Sequence, residues 1–331
     1  MPPQPAKSPC CRQPVVRFGG RRRQCVRCKK TWSIRPKKRG RPPKVAPKAA
    51  VRDALLSGYS LRHLVRRRPG LKLPAFRKRF RHALRLCVNR PRAFGLPKGP
   101  LILLMDGLWF RFAGKPWVLY LIALRGCHDH RAVFLDPVII EGREGLNRWE
   151  QVVTTIPPKA RKRICALVVD NLRGMEKLAR QHRWALQLCQ FHLLLKLQVQ
   201  RGRSGKALHG GGIRHEIDRL VRKALDLPEG AELYAALDKL RHLERTDCGT
   251  KRIRAMVREF LRCVGFYRTC RSRPELNLPA TTNAVESMGS VVRELLRNRA
   301  GTSPNSVLLW TTALIRHRPY VTCNGKIHQQ I

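Results

Sequence analysis

The chain has 331 residues, which is enough for one large domain with small appendages, and its 43% hydrophobic content excludes a wholly disordered protein. Its formal net charge of +48 makes a polyanion the expected partner, above all a nucleic acid. The first 105 residues hold 30 lysines and arginines against a single acid, Asp53, so the positive charge is densest there. A ribosome-like protein would share this charge, whereas the shortage of acids argues against adaptation to high salt.

A membrane location is not expected. The strongest apolar run, WVLYLIAL at 117–124, is much shorter than the roughly 20 residues that a spanning helix needs. The start of the sequence also lacks the apolar core of a signal peptide. We therefore expect a cytoplasmic protein whose 12 cysteines are mostly reduced, so that clustered cysteines indicate a metal rather than disulfides.

Residues 1–34 are predicted to form a zinc-ribbon-like segment that binds DNA. Cys25 and Cys28 have the C-x2-C spacing of a zinc knuckle, and Cys10 and Cys11 precede them. The other knuckle would normally begin at position 8, which is Ser8. Either Cys10 is the fourth ligand of a structural Zn²⁺, or the segment is a three-thiolate site or a metal-free hairpin that keeps its arginines.

Residues 35–48 read as a basic linker. Within it, Arg39-Gly40-Arg41-Pro42 resembles an AT-hook, in which two arginines enter a narrow A·T minor groove. A solvated linker without that role is an equal alternative.

Residues 49–95 have the pattern of three short helices, as in a helix-turn-helix domain. The last helix has an apolar face at Phe76, Phe80, Ala83, Leu84 and Cys87. It also carries candidate DNA-binding residues, which are Arg77, Lys78, Arg79 and Arg81. A basic helical spacer is the alternative interpretation.

The pattern changes at residue 101, where LILLMD predicts a buried strand that ends at Asp106. Two further strands follow, KPWVLYLIALRG and AVFLDPVIIEG, the first pair of strands being joined near Gly114. A helix, the strand RICALVVD, a helix, the strand ALQLCQ and a helix complete the order. This order predicts an α/β fold with a ribonuclease-H-like mixed sheet over 101–331, interrupted by an all-α insertion at about 201–280.

In that topology the first and fourth strands are neighbours, so Asp106 and Asp170 would project from the same region of the sheet. Adjacent carboxylates repel, and they commonly bind Mg²⁺ or Mn²⁺. Two such ions about 4 Å apart can activate the attacking oxygen and stabilise the leaving oxygen of a phosphoryl transfer. Simple turn capping at the strand ends is the competing interpretation. Asp129, Asp136, Glu141 and Glu144 compete less well as ligands.

A third carboxylate is expected from the stretch TTNAVES at 281–287. Asn283 can cap a helix in which Glu286 is the third residue, as in a capping box. Glu286 lies off the apolar stripe of that helix, beside Gly289 and Arg293, so it can face a cleft. The sequence therefore favours Glu286 as a metal ligand over a purely capping role.

These residues resemble a known family. Asp106, the VVDN stretch around Asp170, CQFH at 189–192 and TTNAVES are similar to the DDE transposases of prokaryotic insertion sequences, in the broad Mutator-like superfamily. The resemblance covers roughly residues 101–300. It implies that Asp106, Asp170 and Glu286 are the catalytic triad and hold two Mg²⁺ or Mn²⁺ ions, with Cys189, His192 and Asn283 near the active site.

The activity so implied is metal-dependent cleavage of transposon ends, followed by attack of the 3′-hydroxyl on target DNA. Arg293 and Arg297 would neutralise phosphates. Double-stranded DNA is the expected partner, in a homo-oligomer of at least two chains associated with the nucleoid. A catalytically inactive, transposase-derived DNA-binding protein and a ribonuclease-H-like nuclease are the alternatives. Cys189-x2-His192 alone is half of a zinc site, and a buried thiol and imidazole at a strand–helix junction explain it equally well.

Overall fold

The computed structural model describes residues 7–18, 22–33, 48–56, 59–66, 72–90, 95–201, 211–246, 250–297 and 303–323. They belong to two compact units, residues 1–46 and 47–331. Arg39 and Arg41 of the predicted AT-hook lie outside the described residues.

The strands are β1 (Val15–Arg17), β2 (Arg22–Cys25), β3 (Thr31–Ser33), β4 (Leu101–Phe112), β5 (Lys115–Gly126), β6 (Arg131–Phe134), β7 (Val138–Glu141), β8 (Ile164–Val169), β9 (Ala185–Leu188) and β10 (Tyr320–Thr322). The helices are α1 (Lys48–Leu56), α2 (Leu61–Arg66), α3 (Leu73–Val88), α4 (Leu146–Thr154), α5 (Pro158–Arg161), α6 (Met175–His182), α7 (Gln190–Arg201), α8 (Gly211–Asp226), α9 (Ala231–Arg245), α10 (Lys251–Tyr267), α11 (Thr269–Ser272), α12 (Asn283–Arg297) and α13 (Pro304–His317). A short 3₁₀ helix spans Pro274–Leu276.

The smaller unit is built on a three-stranded antiparallel sheet in the order β1-β2-β3. Among its described residues, only Ser8 and Cys25 are buried. Apolar burial therefore contributes little to its stability.

The larger unit is α/β with a mixed sheet, as predicted, and the sheet has seven strands. Its strand order is β10-β6-β5-β4-β8-β9, and β7 also pairs with β5. β4 runs parallel to β8, and β8 runs parallel to β9, whereas β5 is antiparallel to β4. The first and fourth strands of the predicted domain are therefore neighbours, as the sequence indicated.

The β4–β5 hairpin turns at Ala113 and Gly114, both of which have positive φ (48° and 79°). Two such residues in succession give a turn whose twist matches that of the paired strands. The register then places Asp106 opposite Leu121.

Helices cover both faces of the sheet, which explains why the central strands are apolar on both sides. Leu101, Leu103 and Met105 of β4 pack with Trp149 of α4 in the main core, and Trp149 meets the ring of Tyr120 edge-on at 4.6 Å. α12 contacts the opposite face of β4, where a Cβ on Gly289 would meet the Leu108 side chain.

One predicted strand is in fact two. AVFLDPVIIEG was expected to form a single strand, but β6 pairs with the second half of β5 and β7 with its first half. Pro137 cannot donate a backbone hydrogen bond to the ladder. Asp136 beside it is held by the guanidinium group of Arg316 at 2.7 and 3.0 Å, which fixes the break.

Helices α8 to α11 lie in the stretch of about 201–280 where the all-α insertion was predicted. Their apolar residues, such as Leu220, Leu237 and Phe260, join the main core. Glu259 of α10 faces the end of β8, where it accepts a hydrogen bond from Asn171 at 2.9 Å. The insertion therefore lines one side of the region around Asp170.

Helices α1 to α3 occupy the segment predicted to be a helix-turn-helix domain. The Ser60 hydroxyl accepts a hydrogen bond from the His63 N–H at 3.2 Å and caps α2. Phe76, Phe80, Ala83 and Leu84 form the buried face of α3, and Phe80 stacks on Trp310 of α13 at 5.0 Å. The three helices are thus part of the larger unit.

Candidate active site

Asp106 lies on the face of β4 that α12 covers. The sequence placed it at the end of the strand, but β4 continues for six residues to Phe112 because the hairpin pairing with β5 is unbroken. The Gly107 N–H donates to its Oδ1 at 2.8 Å. Burial raises the pKa of Asp106 to about 6, against the lowering effect of His192, and the charge of Glu286 raises it further.

Asp170 follows the last residue of β8, as predicted. Its Oδ1 accepts a hydrogen bond from the Asn171 N–H at 2.6 Å and lies 3.4 Å from the Lys196 Nζ. Because β8 is parallel to β4 and adjacent to it, Asp170 emerges beside the segment of β4 that carries Asp106.

Glu286 lies in the first turn of α12, with 16% of its side chain exposed. The capping residue is not Asn283, as the sequence suggested, but Thr282. Its carbonyl accepts hydrogen bonds from the N–H groups of Val285 and Glu286, at 2.8 and 3.0 Å. The Thr282 hydroxyl also donates to Glu286 Oε1 and orients that carboxylate. Asn283 is the exposed first residue of the helix.

His192 joins these acids. Its Nδ1 lies 3.3 Å from Glu286 Oε1 and 3.9 Å from Asp170 Oδ1, so those two oxygens are no farther apart than the sum of these distances. Gly289, one turn after Glu286, faces the third acid, since a Cβ built on it would lie 3.7 Å from Asp106 Oδ2. The structure therefore brings Asp106, Asp170 and Glu286 to one site.

Cys189 is buried beside the same site. It lies between β9 and α7, and its backbone N–H donates to the Val169 carbonyl at 2.8 Å. Its Sγ accepts a hydrogen bond from the Thr282 N–H at 3.3 Å and lies 3.5 Å from Glu286 Oε1. The Cys-x2-His pair thus links the ends of β8 and β9 to the start of α12.

Glu144, which the sequence analysis ranked below the three carboxylates, lies beside Asp106. Its Oε2 accepts a hydrogen bond from the Trp109 indole at 3.2 Å. Burial raises its pKa to about 7, and the charges of Asp106 and Asp170 raise it as well. Gly107, directly after Asp106, leaves room for this side chain, because a Cβ at position 107 would lie 2.5 Å from Glu144 Oε1. That glycine is the one feature of the sequence that could have indicated a side chain packed here.

Cations border the carboxylates. Lys196 lies one helical turn after His192 and reaches Asp170, a contact that the sequence analysis missed. Arg293 is close enough to lower the pKa of Asp106, although this effect is smaller than that of burial. Arg293 and Arg297 are exposed on α12, and Arg77, Lys78 and Arg81 are exposed on α3, whereas Arg79 is partly buried.

The smaller unit carries a separate cluster of thiols. Ligand atoms of Cys10, Cys11, Cys25 and Cys28 all lie within 4.8 Å of one another, and the Sγ atoms of Cys10 and Cys28 are 3.3 Å apart. This group could hold a metal such as zinc, with Cys10 among the ligands. A hydrogen bond from the backbone of Cys28 lowers the pKa of Cys25 to about 6, which favours the thiolate that a metal binds.

Ser8, where a zinc knuckle would have a cysteine, has a structural role. It is buried, its carbonyl accepts a hydrogen bond from the Arg12 N–H at 3.0 Å, and its hydroxyl accepts one from the Gln13 N–H at 3.1 Å. Ser8 thereby shapes the turn that carries Cys10 and Cys11.

Comparison of the chain with protein-family models gives no match, and neither does comparison with curated proteins. Within the residues that the structure describes, every helix is too short or too polar to cross a bilayer.

Proposed function

We propose that the chain is a DDE-type DNA transposase, which cleaves the ends of a mobile element and joins the freed 3′-hydroxyl to target DNA. The observation that carries this proposal is the meeting of Asp106, Asp170 and Glu286, which are far apart in sequence, at one site bordered by cations. Such a site suits a polyanionic substrate and phosphoryl transfer.

The strand order supports the same proposal. A ribonuclease-H-like domain is expected to begin with three antiparallel strands, followed by two strands parallel to the first. The larger unit has this arrangement in β4, β5 and β6, followed by β8 and β9. The helices between β9 and α12 match the all-α insertion that the resemblance implies.

The donor set fits divalent metal ions. Carboxylate oxygens of Asp106, Asp170 and Glu286 are the hard ligands that Mg²⁺ and Mn²⁺ favour. The raised pKa of Asp106 shows that the site disfavours uncompensated negative charge, which a cation would relieve. Two such ions, held by these three carboxylates, would supply activation of the attacking hydroxyl and charge stabilisation of the leaving oxygen.

The protein groups around the carboxylates position the substrate. Lys196 and Arg293 supply positive charge for the phosphates next to the scissile one. Glu144, with a pKa of about 7, can exchange a proton near neutral pH, and Trp109 holds it in place. The exposed basic residues of α3 are suited to contact DNA away from the reacting atoms.

Work on paired DNA ends calls for at least two copies of the chain, so a homo-oligomer on DNA and association with the nucleoid belong to the same proposal. Light scattering with and without DNA that carries two ends would give the stoichiometry. A strictly monomeric complex would contradict this part of the proposal.

The test uses the full chain and the DNA segments that flank its coding region. We expect Mg²⁺-dependent cleavage and strand transfer, which Asp170→Asn abolishes while DNA binding persists. Asp129→Asn, in an exposed turn after β5, is the matched control and should retain activity. Unchanged strand transfer in Asp170→Asn would overturn the proposal. Cleavage without any joining would instead favour a nuclease, and binding alone would favour an inactive descendant.

A further inference from the structure

The active site contains a second set of donors that is softer than its carboxylates. Cys189, His192 and Glu286 each offer one ligand atom, and these atoms all lie within 4.8 Å of one another. We infer that these three residues form a binding site for a thiophilic divalent cation, zinc in particular, with one coordination position left open.

The distances match tetrahedral coordination. With bonds of about 2.0–2.3 Å, nitrogen, oxygen and sulfur ligands of zinc lie about 3.3–3.6 Å from one another. The His192 Nδ1 is 3.3 Å from Glu286 Oε1, and Cys189 Sγ is 3.5 Å from the same oxygen. The spacing already present between these atoms is therefore that of ligands around one ion.

The unsatisfied ring nitrogen of His192 also supports a metal between these three residues. Its Nδ1 is buried and has no hydrogen-bond partner within the described residues, although it lies beside two carboxylates. An unsatisfied buried ring nitrogen is costly, and a metal ion would satisfy it.

Cys189 is prepared to act as a ligand. The Thr282 N–H donates to its sulfur at 3.3 Å, an interaction that stabilises a thiolate. Without a cation, the thiol donates a hydrogen bond toward Glu286 Oε1 at 3.5 Å. On binding, the cation takes the place of this proton, which passes to solvent.

This set completes the half-site that the sequence displayed. Cys-x2-His supplies two ligands across the start of α7, and the third comes from α12, remote in sequence. Magnesium, which favours oxygen ligands, has little affinity for a thiolate. The two donor sets share only Glu286, so they select different metals and compete for one residue.

A consequence follows that rests on the proposed function. Zinc bound to Cys189, His192 and Glu286 would remove Glu286 from the carboxylate set, and so zinc should inhibit Mg²⁺-dependent DNA cleavage. Inhibition should weaken about tenfold or more in Cys189→Ser, in line with the loss of a metal contact.

The direct test is a Co²⁺ titration of the full chain carrying Cys25→Ser and Cys28→Ser, which removes the other thiol site. We expect one equivalent of tetrahedral cobalt with sulfur-to-cobalt charge-transfer absorption, displaced by Zn²⁺ but not by Mg²⁺. Adding Cys189→Ser should abolish the charge-transfer band, and His192→Gln should weaken binding about tenfold or more. Cys323→Ser, a buried cysteine after β10, is the matched control and should leave the spectrum unchanged.

If the charge-transfer band survives Cys189→Ser, the proposed site is wrong. It is also wrong if Mg²⁺ displaces the bound cobalt as well as Zn²⁺ does. Circular dichroism of each variant separates a lost ligand from a lost fold, and the partly exposed His192 gives a second variant if Cys189→Ser misfolds. Because the titration contains no DNA, its result stands even if no cleavage activity is found. Bound cobalt together with zinc-insensitive cleavage would overturn only the inhibition.

Discussion

The thiol cluster of the smaller unit and the carboxylate site of the larger unit bring potential metal ligands together in opposite ways. Cys10, Cys11, Cys25 and Cys28 are close in sequence and lie on a sheet in which, among the described residues, only Ser8 and Cys25 are buried. Asp106, Asp170 and Glu286 are distant in sequence. The first two project from strands of the main core, and Glu286 projects from α12, whose buried face packs on β4.

The two units therefore differ in whether the fold alone positions the ligands. With so little apolar burial, we expect the smaller unit to need a bound metal for folding. The larger unit orders its carboxylates through the β4–β8 pairing and the packing of α12, whether or not a cation is present. This difference between the two units can be tested.

Removing metal from the thiol cluster should unfold the smaller unit alone. Structural zinc in small domains contributes about 10–16 kcal/mol of apparent binding free energy, which the three-stranded sheet cannot replace. We expect chelation, or Cys25→Ser, to abolish amide-exchange protection over 22–33 and to leave it intact over 101–126. Unchanged protection of 22–33 after chelation would show that the small sheet is stable by itself.

A cavity in the main core should destabilise the larger unit with or without metal. Leu167 of β8 is completely buried, so Leu167→Ala should cost about 2–5 kcal/mol of unfolding free energy. Leu86→Ala on α3 is the matched control, since Leu86 is 41% exposed and should cost far less. Urea unfolding measures both. An equal loss in the two variants would mean that burial at β8 does not determine stability.

The carboxylates should make the stability of the larger unit depend on pH. The folded pKa values of Asp106 and Glu144 are raised to about 6 and about 7, above the ordinary values of about 4 in an unfolded chain. The folded state therefore binds protons more tightly, and the unfolding free energy should fall as pH rises from about 4 to about 7.

Urea unfolding of the metal-free chain across this pH range measures the effect. Glu144→Gln should flatten the upper part of the curve, and Mg²⁺ should restore stability near neutral pH. Glu141→Gln, an exposed acid at the end of β7, is the control. If Glu144→Gln leaves the dependence of unfolding free energy on pH unchanged, then Glu144 does not have a raised pKa in the folded state.

The smallest effect should come from the basic surface of α3. Arg77 and Arg81 are exposed and remote from the core, so replacing both by alanine should change thermal stability little. If each contacts a DNA phosphate, the log–log slope of affinity against salt should fall by about 0.9 per arginine. An unchanged slope, measured by fluorescence anisotropy, would show that α3 does not contact the DNA backbone.

Local patterns predicted the elements of the sheet well. Long apolar runs indicated β4, β5 and β8, and a carboxylate directly after β8 indicated Asp170. Pairing over longer distances was harder to predict. Asp106 was expected at a strand end because Gly107 interrupts the apolar run, whereas the hairpin with β5 carries the strand beyond it.

Glu144 was ranked too low for a related reason. It lies in a loop with ordinary turn residues, and only the fold brings it to Trp109 and Gly107 of β4. The thiol cluster shows the converse, because its spacing motif is local and could be recognised without a fold. Thr282 as the helix cap, in place of Asn283, depends on its packing against Cys189, which no local pattern reveals.

The most direct test of the central claim is to map where a divalent ion binds, with no DNA present. Bound Fe²⁺ with a reductant and peroxide generates hydroxyl radicals that cleave nearby backbone. In the chain carrying Cys189→Ser, which removes the thiol ligand, we expect cuts near 106, 170 and 286 in the same protein, suppressed by Mg²⁺ and lost on adding Asp170→Asn. Cuts confined to the cysteine-rich segment at 8–33 would contradict the convergence of these carboxylates on a metal.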